Sequence, residues 1–263
     1  MLECVVNISE GRDPGLIEDL VAICGSSLLD LHTDADHNRS VATLVGTSAP
    51  RDLARWALEN LDLGAHDGVH PRLGTIDVVP FVPLGNATMT DAIAARDSFA
   101  GWAAAELGIP CFHYGPERSL PSVRRDAFRA LSPDTGPAVP HPRAGAICVG
   151  ARGPLVAWNL WVDGIDLATT RAVASIVRTD TIRTLGLQTG HHTQVSVNLV
   201  DPMRAGPDMA HDAIVAALPP DARVLRAELV GLVPRAVLAR IDPDRWEELD
   251  LDDSRTIEAR LAG

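Results

Sequence analysis

The stretch LECVVNISEGRDPGLIEDLVAIC, residues 2–24, decides the fold class. Its first part, Leu2–Ile8, is a short apolar run of the kind that predicts a strand. Asp13 is a good N-cap residue and Pro14 suits the first helical position, which together predict a helix over 14–24. The chain therefore begins with a strand followed directly by a helix, which is typical of α/β proteins.

Beyond residue 24, the same alternation predicts two strands, a helix and a fourth strand, at Leu28–His32, Val41–Gly46, Pro50–Leu61 and Asp77–Val82. This order is βαββαβ. A further helix over Met89–Leu107, with Thr88 and Asp91 forming a capping box, and a strand at Cys111–Tyr114 extend the sheet. Residues 115–145 are dense in proline, glycine and charge, which predicts a loop with one short helix near Val123–Leu131.

After this loop the pattern begins again. Strands are predicted at Leu155–Val162, Leu185–Gln188, Gln194–Val200 and Val224–Leu232, with helices at Asp166–Thr179 and Asp208–Leu218. The acidic tail, Asp242–Leu261, is predicted to be helical. Two βαββαβ runs predict an α/β (α+β) protein with two ferredoxin-like subdomains, residues 1–151 and 152–263, side by side with a cleft or tunnel between them.

Composition excludes several functions. The net charge is −12, which disfavours nucleic acid as a partner, and all 23 basic residues are arginines. Without lysine the chain has neither a Schiff-base lysine nor a Walker lysine, so anions must be bound by arginine, histidine or backbone amides. No apolar run is long enough to span a membrane and no leader peptide is evident, which predicts a cytoplasmic protein with four buried thiols.

Two early segments carry polar side chains that could serve chemistry. Residues 6–12 include Asn7, Ser9 and Glu10, which could bind a substrate or cap the following helix. Residues 32–39 include His32, Asp34, Asp36 and His37, which could hold a divalent metal ion. The same residue types are also typical of a polar β-turn, so both interpretations stay open for this segment.

Two later loops are also candidates. His70 lies in a glycine-flanked loop just before a core strand, which suits a general acid/base but equally a histidine bonded to a backbone carbonyl. Residues 134–145 contain three prolines that fix an extended path, which suits a flat ligand or a rigid linker. The pair His191-His192 falls in a predicted hairpin connection, and the chain contains no G-x-S-x-G, H-E-x-x-H or G-x-G-x-x-G pattern.

Taken together, these segments resemble the glutamate formimidoyltransferase family, which includes the N-terminal part of formimidoyltransferase-cyclodeaminase. The family opening E-C-V-P-N-x-S-E-G is matched over residues 3–11, D-x-x-x-N-R-[ST]-V over 34–41, and H-P-R-[LM]-G-x-[LIV]-D-V-x-P-F over 70–81. Further matches are G-A-R at 150–152, Q-V-S-x-N-L at 194–199 and E-L-V-G-L-V-P at 228–234. Asp67 and Val69 depart from the pattern, since glutamine and glutamate usually occupy these positions.

The resemblance implies roles for individual residues. His70 is expected to be catalytic, and Asn7, Asn38, Arg39 and Arg72 are expected to bind substrate. The folate-binding segment is expected to be Gly136, Pro137, Ala138, Val139, Pro140, His141, Pro142, Arg143, Ala144 and Gly145. No metal is expected, tetrahydrofolate is the expected co-substrate, and the expected assembly is a homodimer.

The implied reaction is transfer of the formimidoyl group of N-formimidoylglutamate to N5 of tetrahydrofolate. Both substrates carry glutamate carboxylates, which makes Arg39, Arg72, Arg143 and Arg152 candidate partners because guanidinium groups pair bidentately with carboxylates. The alternatives are a paralogue that uses N-formylglutamate or another donor, a folate-binding protein without catalysis, and a metal-dependent hydrolase built on residues 32–37.

Overall fold

The structure is a computed structural model that describes residues 1–69 and 71–263. The chain divides into two compact units, Met1–Gly153 and Pro154–Gly263. Each unit has its own sheet and its own apolar core. The predicted cleft between the two subdomains stays a prediction.

Among its described residues, the first unit contains six strands and four α-helices. In chain order these are β1 Leu2–Ile8, α1 Pro14–Cys24, β2 Leu28–Asp34, β3 Arg39–Val45, α2 Ala49–Asn60, β4 Ile76–Pro83, α3 Met89–Leu107, β5 Cys111–Tyr114, α4 Leu120–Asp126 and β6 Ile147–Ala151. The second unit contains four strands and four helices among its described residues. These are β7 Val156–Asp163, α5 Leu167–Ile176, β8 Ile182–Thr189, β9 His192–Leu199, α6 Pro207–Ala217, β10 Arg223–Val230, α7 Arg235–Leu238 and α8 Ile257–Ala262.

The two sheets repeat one topology. The six-stranded sheet has the order β2-β3-β1-β4-β6-β5, and the four-stranded sheet has the order β10-β7-β9-β8. In both, the first strand of the βαββαβ run lies between the third and fourth strands, and the second strand is next to the third. This is the ferredoxin-like arrangement that the sequence predicts. The first sheet is then extended by β6, which pairs in parallel with both β4 and β5.

Local sequence explains where the helices begin. The Asp13 side chain accepts from the amides of Gly15 and Leu16, and Pro14 occupies the first turn, as predicted. Thr88 and Asp91 form the predicted capping box at the start of α3. These local contacts fix the helix starts within a residue of the predicted positions.

Each sheet packs an apolar face against its helices. In the first unit the alternate residues Cys4, Val6 and Ile8 of β1 join α1, α2 and α3 in one core. A smaller cluster on the opposite face includes Val78 and Cys148 and is covered by α4. In the second unit Trp158, Leu160, Val195 and Val197 form the core with α5 and α6. The intervening residues of the strands therefore point to the other face of each sheet.

Three predictions about local structure were wrong or incomplete. The sequence analysis missed β6 because it is only five residues long and becomes a strand through its non-local pairing with β4 and β5. The short helix in the long loop lies at Leu120–Asp126, earlier than predicted, since Ser119 caps it and Pro121 occupies its first turn. The tail is not one helix: it forms two single 3-10 turns, at Pro243–Arg245 and Asp253–Arg255, before α8. Among the described residues, no helix combines the length and the apolarity that crossing a bilayer would require.

Candidate active site

The predicted catalytic residue, His70, lies outside the described residues. The loop on either side of it is described, from Leu61 to Val69 and from Pro71 to Thr75. The site is therefore built from this loop, from the turn between β2 and β3, and from the segment that precedes β6.

Asn38 joins the turn between β2 and β3 to the loop before His70 and to the exit of β1. It occupies the β2–β3 turn with φ 44°, a left-handed conformation that asparagine tolerates better than most residues. Its Oδ1 accepts from the Gly11 amide at 3.0 Å, and its Nδ2 donates to the Asp67 carbonyl at 3.0 Å. Its own carbonyl oxygen accepts from Nε2 of His66 at 2.8 Å. One asparagine thus holds the exit of β1 and the loop before His70 against the turn.

The turn itself is stabilised by its acidic first residue. The Asp34 side chain accepts from the His37 amide at 2.8 Å, which is the local turn bonding expected for an aspartate in this position. The His37 ring also lies 3.6 Å from the Asp34 carboxylate. In the part of the chain that the structure describes, no group of three or more His, Cys, Asp or Glu side chains is placed to hold a metal ion.

His66 and Arg72 form a pair across the loop. Because Nε2 of His66 donates to the Asn38 carbonyl, Nδ1 is left as an acceptor, and Nη1 of Arg72 donates to it. Nη2 of Arg72 donates to the Gly68 carbonyl at 2.8 Å. The Arg72 guanidinium is thereby fixed in direction by two bonds from its own loop.

The pKa of His66 is lower than that of an ordinary histidine. Burial is the main cause, and the positive charge of Arg72 acts in the same direction, while the hydrogen bond to Asn38 opposes both. The neutral imidazole is also the only form whose Nδ1 can accept from Arg72. His66 was not among the predicted site residues, although it stands four positions before His70 in the same glycine-flanked loop.

Two glycines allow the segments to approach one another. A Cβ atom on Gly11 would lie 2.5 Å from the Asp34 carbonyl oxygen, and one on Gly68 would lie 2.3 Å from the His37 carbonyl oxygen. Both distances are shorter than any ordinary contact. The backbones of the β1 exit and of the loop before His70 therefore lie directly against the turn, where a larger residue would push them away.

Arg39 is the first residue of β3, and the pKa of its guanidinium is lower than that of an ordinary arginine. Among the described residues, no carboxylate forms an ion pair with it. Loss of hydration lowers the pKa of Arg39 to about 10; Asp77 and Asp34 oppose this shift, and Arg124 and Arg72 add to it. A desolvated cation of this kind gains free energy when an anion binds to it.

Asn7 lies on the same face of the first sheet as Arg39. It pairs with Val41 of β3 and Val78 of β4, so it points away from the helix-packed core. Arg39 is one step further along the ladder, two residues from Val41. The sheet thus brings two predicted substrate-binding residues onto one face, next to the turn that holds Asn38.

A buried ion pair fixes the second half of the loop. The Asp77 side chain is 3% exposed and pairs with Nη2 of Arg124, which projects from α4. Asp77 also accepts from the Leu73 amide at 2.7 Å, and Arg124 donates to the Pro71 carbonyl at 2.9 Å. Neither residue was predicted as part of the site, although a carboxylate within an apolar strand is itself a signal that a buried partner exists.

The predicted folate-binding segment has two parts. Residues 136–140 are exposed, whereas residues 141–145 form a tight turn in which the amide and carbonyl of His141 bond to Gly145. Nδ1 of His141 accepts from the amides of Arg143 and Ala144, which closes this turn.

Backbone bonds attach this turn to the loop around His70. The Thr75 amide donates to the Ala144 carbonyl at 3.0 Å, the Ala146 amide to Leu73 at 2.9 Å, and the Leu63 amide to Arg143 at 2.8 Å. The two predicted sites, which are far apart in sequence, are therefore adjacent in the fold.

The remaining two candidate arginines have local backbone partners. The Arg143 guanidinium donates to the carbonyl of Leu61 at 3.2 Å and lies 3.9 Å from the Asp62 carboxylate. The Arg152 guanidinium donates to the Gly153 carbonyl at 2.9 Å. Arg143 thus helps to hold the end of α2, where a cation is favourable.

The fold and the site define a class: an α/β protein with two ferredoxin-like units, the first of which carries a loop lined by arginine, histidine and asparagine. The profile of the formiminotransferase domain, N-terminal subdomain, matches residues 1–152. The chain belongs to the formiminotransferase family.

Relatives extend this likeness over nearly the whole chain. It is 36% identical to the glutamate formimidoyltransferase of Streptococcus pyogenes serotype M1, over 98% of this chain and 97% of that protein. It is 30% identical to the glutamate formimidoyltransferase of Thermoplasma acidophilum, over 99% and 97%. It is 33% identical to the formimidoyltransferase-cyclodeaminase of Gallus gallus, over 90% of this chain but only 51% of that longer protein.

We expect the Asp77–Arg124 pair to be needed for stability. Arg124→Met should lower the free energy of unfolding by ~3–5 kcal/mol, because it leaves the Asp77 carboxylate buried without its partner. The adjacent Arg125 is a matched control, since its side chain is 69% exposed and pairs only at the surface with Asp126. Arg125→Met should leave the free energy of unfolding close to that of the wild type, because exposed ion pairs contribute little. Urea unfolding of both variants measures the difference, and equal losses would contradict the assigned role of Asp77–Arg124.

The pKa of His66 predicts a pH dependence of stability. The unfolded chain, with an ordinary histidine pKa of ~6.5, takes up a proton at a higher pH than the folded chain does. The stability that His66 contributes is therefore present above about pH 6.5 and is lost as the pH falls below it. We expect the difference in Tm between the wild type and His66→Gln, which cannot titrate, to shrink between pH 8 and pH 5.5. A difference that does not change with pH would disprove this account.

Proposed function

We propose that this chain transfers the formimidoyl group of N-formimidoyl-L-glutamate to N5 of tetrahydrofolate, giving 5-formimidoyltetrahydrofolate and glutamate. The observation that carries the proposal is the match, end to end, with proteins named glutamate formimidoyltransferase. This reaction belongs to histidine degradation and supplies one-carbon units. The chain is thus an enzyme that uses a reduced folate as its second substrate.

The proposal assigns each half of the chain to one formimidoyltransferase subdomain. Residues 1–151 form the N-terminal formimidoyltransferase subdomain, which corresponds to the matched profile, and residues 152–263 form the C-terminal one. The chain spans about half of the bifunctional relative from Gallus gallus. The proposal therefore concerns formimidoyl transfer alone.

The chemistry requires one residue to move a proton twice. N5 of tetrahydrofolate attacks the formimidoyl carbon, which gives a tetrahedral intermediate, and collapse of this intermediate expels the amine of glutamate. N5 must lose a proton and the departing nitrogen must gain one. In the proposal His70 takes the proton from N5 and then gives it to the leaving amine, as an imidazole that titrates near neutrality can do.

Arg39 and Arg72 bind the carboxylates of the donor in this proposal. The Arg39 guanidinium has lost hydration and has no ion pair among the described residues. A bound carboxylate would therefore stabilise its positive charge. Arg72 is fixed in direction by His66 and Gly68 next to His70, and a pre-oriented fork loses little entropy when it binds a carboxylate. Asn7 and Asn38 are assigned to the same substrate site.

Tetrahydrofolate is assigned to residues 136–145. The exposed first part contains Pro137 and Pro140, which lack amide protons and keep the backbone extended, so a flat ligand can lie along it. The turn at 141–145 is bonded to residues 73–75. A folate held by this segment would therefore lie close to the loop that carries His70.

Location and assembly complete the proposal. The four cysteines are all free and buried, which suits a reducing compartment, and we assign the protein to the cytoplasm. We assign it a homodimeric assembly, as the likeness to the family implies. Size-exclusion chromatography with light scattering would test the assembly directly.

The first experiment is a turnover assay with the purified protein. We expect tetrahydrofolate and N-formimidoylglutamate to give 5-formimidoyltetrahydrofolate, followed by its absorbance. We expect His70→Ala to lower kcat by ~10²–10⁴-fold, the usual contribution of a general acid/base. Turnover close to the wild-type rate in that variant would exclude His70 as the proton carrier.

Other outcomes of the same assay identify other functions. Turnover with N-formylglutamate alone would indicate a paralogue with a different donor. Folate binding without turnover of any donor would indicate a protein that has lost catalysis. Loss of activity in chelator would indicate a metal-dependent enzyme instead.

The second experiment tests the donor site. Arg39→Ala should raise KM for N-formimidoylglutamate by roughly tenfold or more, because one charge-assisted hydrogen bond contributes ~1.5–3 kcal/mol. Arg55→Ala is the control, since Arg55 is exposed on α2, where it pairs with Asp52 and stacks on the Trp102 ring. An unchanged KM in both Arg39→Ala and Arg72→Ala would exclude a role of these two arginines in binding the donor.

A further inference from the structure

The loop between α2 and β4 contains a chain of hydrogen bonds that ends at the guanidinium of Arg72. Nε2 of His66 donates to the Asn38 carbonyl at 2.8 Å, and Nδ1 of the same ring accepts from Nη1 of Arg72. Nη2 of Arg72 donates to the Gly68 carbonyl at 2.8 Å. The direction of the guanidinium therefore depends on an acceptor that the His66 ring supplies.

The backbone of the β2–β3 turn determines which nitrogen of His66 carries the proton. A carbonyl oxygen can only accept, so Nε2 must be the protonated nitrogen, and in a neutral imidazole this leaves Nδ1 as the acceptor. The Asn38 carbonyl is itself held in place, because the side chain of Asn38 bonds to the Gly11 amide and to the Asp67 carbonyl. The turn thus selects the one tautomer that can bind Arg72.

Protonation of His66 would disrupt the contact with Arg72. An imidazolium carries N–H groups on both nitrogens, so a donor on Nδ1 would meet a donor on Nη1. Two positive charges would also lie within hydrogen-bond distance of each other. The guanidinium could then keep its bond to Gly68 only by turning away from His66.

Six charged or titratable side chains lie on the three segments that meet at His66. They are Glu10, Arg12, Asp34, His37, Asp67 and Arg72. Glu10 and Arg12 act on the pKa of His66 in opposite directions. Burial, with the positive charge of Arg72 acting in the same direction, keeps that pKa below the value of an ordinary histidine. The neutral ring that Arg72 needs is therefore the form present at neutral pH.

The direction of a guanidinium matters separately from its charge. Arginine has a long side chain with many rotamers, and its planar fork binds a carboxylate through two parallel hydrogen bonds only when it is correctly aimed. A fork that is already held loses less entropy on binding than one that must be ordered. Release of Arg72 would leave its charge in the loop but remove this advantage.

We propose that His66 is a positioning residue for the one-carbon donor: its neutral ring aims the Arg72 fork at a donor carboxylate, and its protonation releases the fork. This inference rests on the proposed function, which assigns a donor carboxylate to Arg72. It has a consequence that charge alone would not give. An added positive charge on His66 should strengthen the attraction for a carboxylate, whereas release of the fork should weaken binding as the pH falls.

His66→Phe and His66→Gln form the test pair. Phenylalanine is a flat ring of similar size without either nitrogen, so Arg72 loses its acceptor. We expect the Kd for N-formimidoyl-L-glutamate, measured by calorimetry at pH 8 without folate, to rise roughly fivefold. Glutamine has an N–H group for the Asn38 carbonyl and an oxygen for Arg72, so it should return the Kd to near the wild-type value.

His192→Phe is the matched control for the loss of an imidazole. His192 lies in the second unit, its side chain is 46% exposed, and its ring is 3.6 Å from the Asp163 carboxylate. We expect this variant to bind the donor with the wild-type Kd.

The pH dependence of the same Kd tests the protonation step. Between pH 8 and pH 5 the wild-type Kd should rise more than that of His66→Gln, because glutamine does not titrate. The ratio of the two values cancels the titration of other groups, including the donor's own carboxylates. A ratio that stays constant, or one that shows tighter wild-type binding at pH 5, would overturn the inference.

A double variant shows whether His66 acts through Arg72. In Arg72→Ala the His66 ring has no guanidinium to direct, so adding His66→Phe should raise the Kd no further. A further rise as large as that seen in the wild-type background would mean that His66 only supports the turn at Asn38, which contradicts a positioning role.

The outcomes separate this inference from the proposed function. An unchanged Kd in His66→Phe overturns the inference and leaves the proposed function intact. If the wild type binds N-formimidoylglutamate but transfers nothing to tetrahydrofolate, the proposed function fails while the Kd comparisons still decide the inference. If the wild type does not bind the donor, both fail.

Discussion

The candidate site depends on a single left-handed residue, Asn38. Its side-chain amide bonds to the exit of β1 and to the loop before His70, while its carbonyl fixes the ring of His66. A backbone carbonyl or amide could satisfy one of these partners, but an asparagine in a tight turn satisfies three from one position. His66 then orients Arg72, so the direction of a predicted substrate-binding arginine is traced back to one turn. The close contacts at Gly11 and Gly68 follow from the same convergence, because three backbones meet there without space for a side chain.

The first unit contains a cluster of arginines, although the chain as a whole is acidic. The protein carries a net charge of −12, yet the positive charges of Arg124 and Arg72 lie close enough to Arg39 to lower its pKa, and that of Arg124 also lowers the pKa of Arg72. Arg124 has a buried carboxylate partner, Asp77, which raises the pKa of Arg124 despite its burial. This pair is a structural tie, since both members also bond to the loop at residues 71–73. Among the described residues Arg39 has no ion pair of this kind, so in the proposed function it is the arginine of this cluster that offers its charge to a substrate carboxylate.

Much of the fold could be predicted from the sequence because the signals were local. Caps, prolines and strand periodicity placed most elements of both βαββαβ runs, and the ferredoxin-like order of each sheet agrees with that prediction. Strand β6 was missed because only the parallel pairing with β4 and β5, which is non-local, makes it a strand. The roles of His66, Asp77 and Arg124 were missed for the same reason, since each depends on a partner brought near by folding. The motif match pointed to the 34–41, 70–81 and 136–145 segments, but only their hydrogen bonds show that the three are adjacent.

The repeat also explains where binding residues can lie. A ferredoxin-like unit covers one face of its sheet with the two helices of the βαββαβ run, so that face must be apolar, and polar side chains on the strands must use the other face. Asn7 and Arg39 lie there in the first unit, and Asn159, Gln194 and Glu228 lie there in the second. A polar residue on this face must still satisfy its hydrogen bonds if it is buried. Glu228 does so by accepting from Asn159, Trp161, Gln194 and Arg226, whereas Oε1 of Gln194 and Oγ1 of Thr189 have no hydrogen-bond partner among the described residues. The place of a polar side chain on a strand therefore depends on which face of the sheet the helices of its unit leave uncovered.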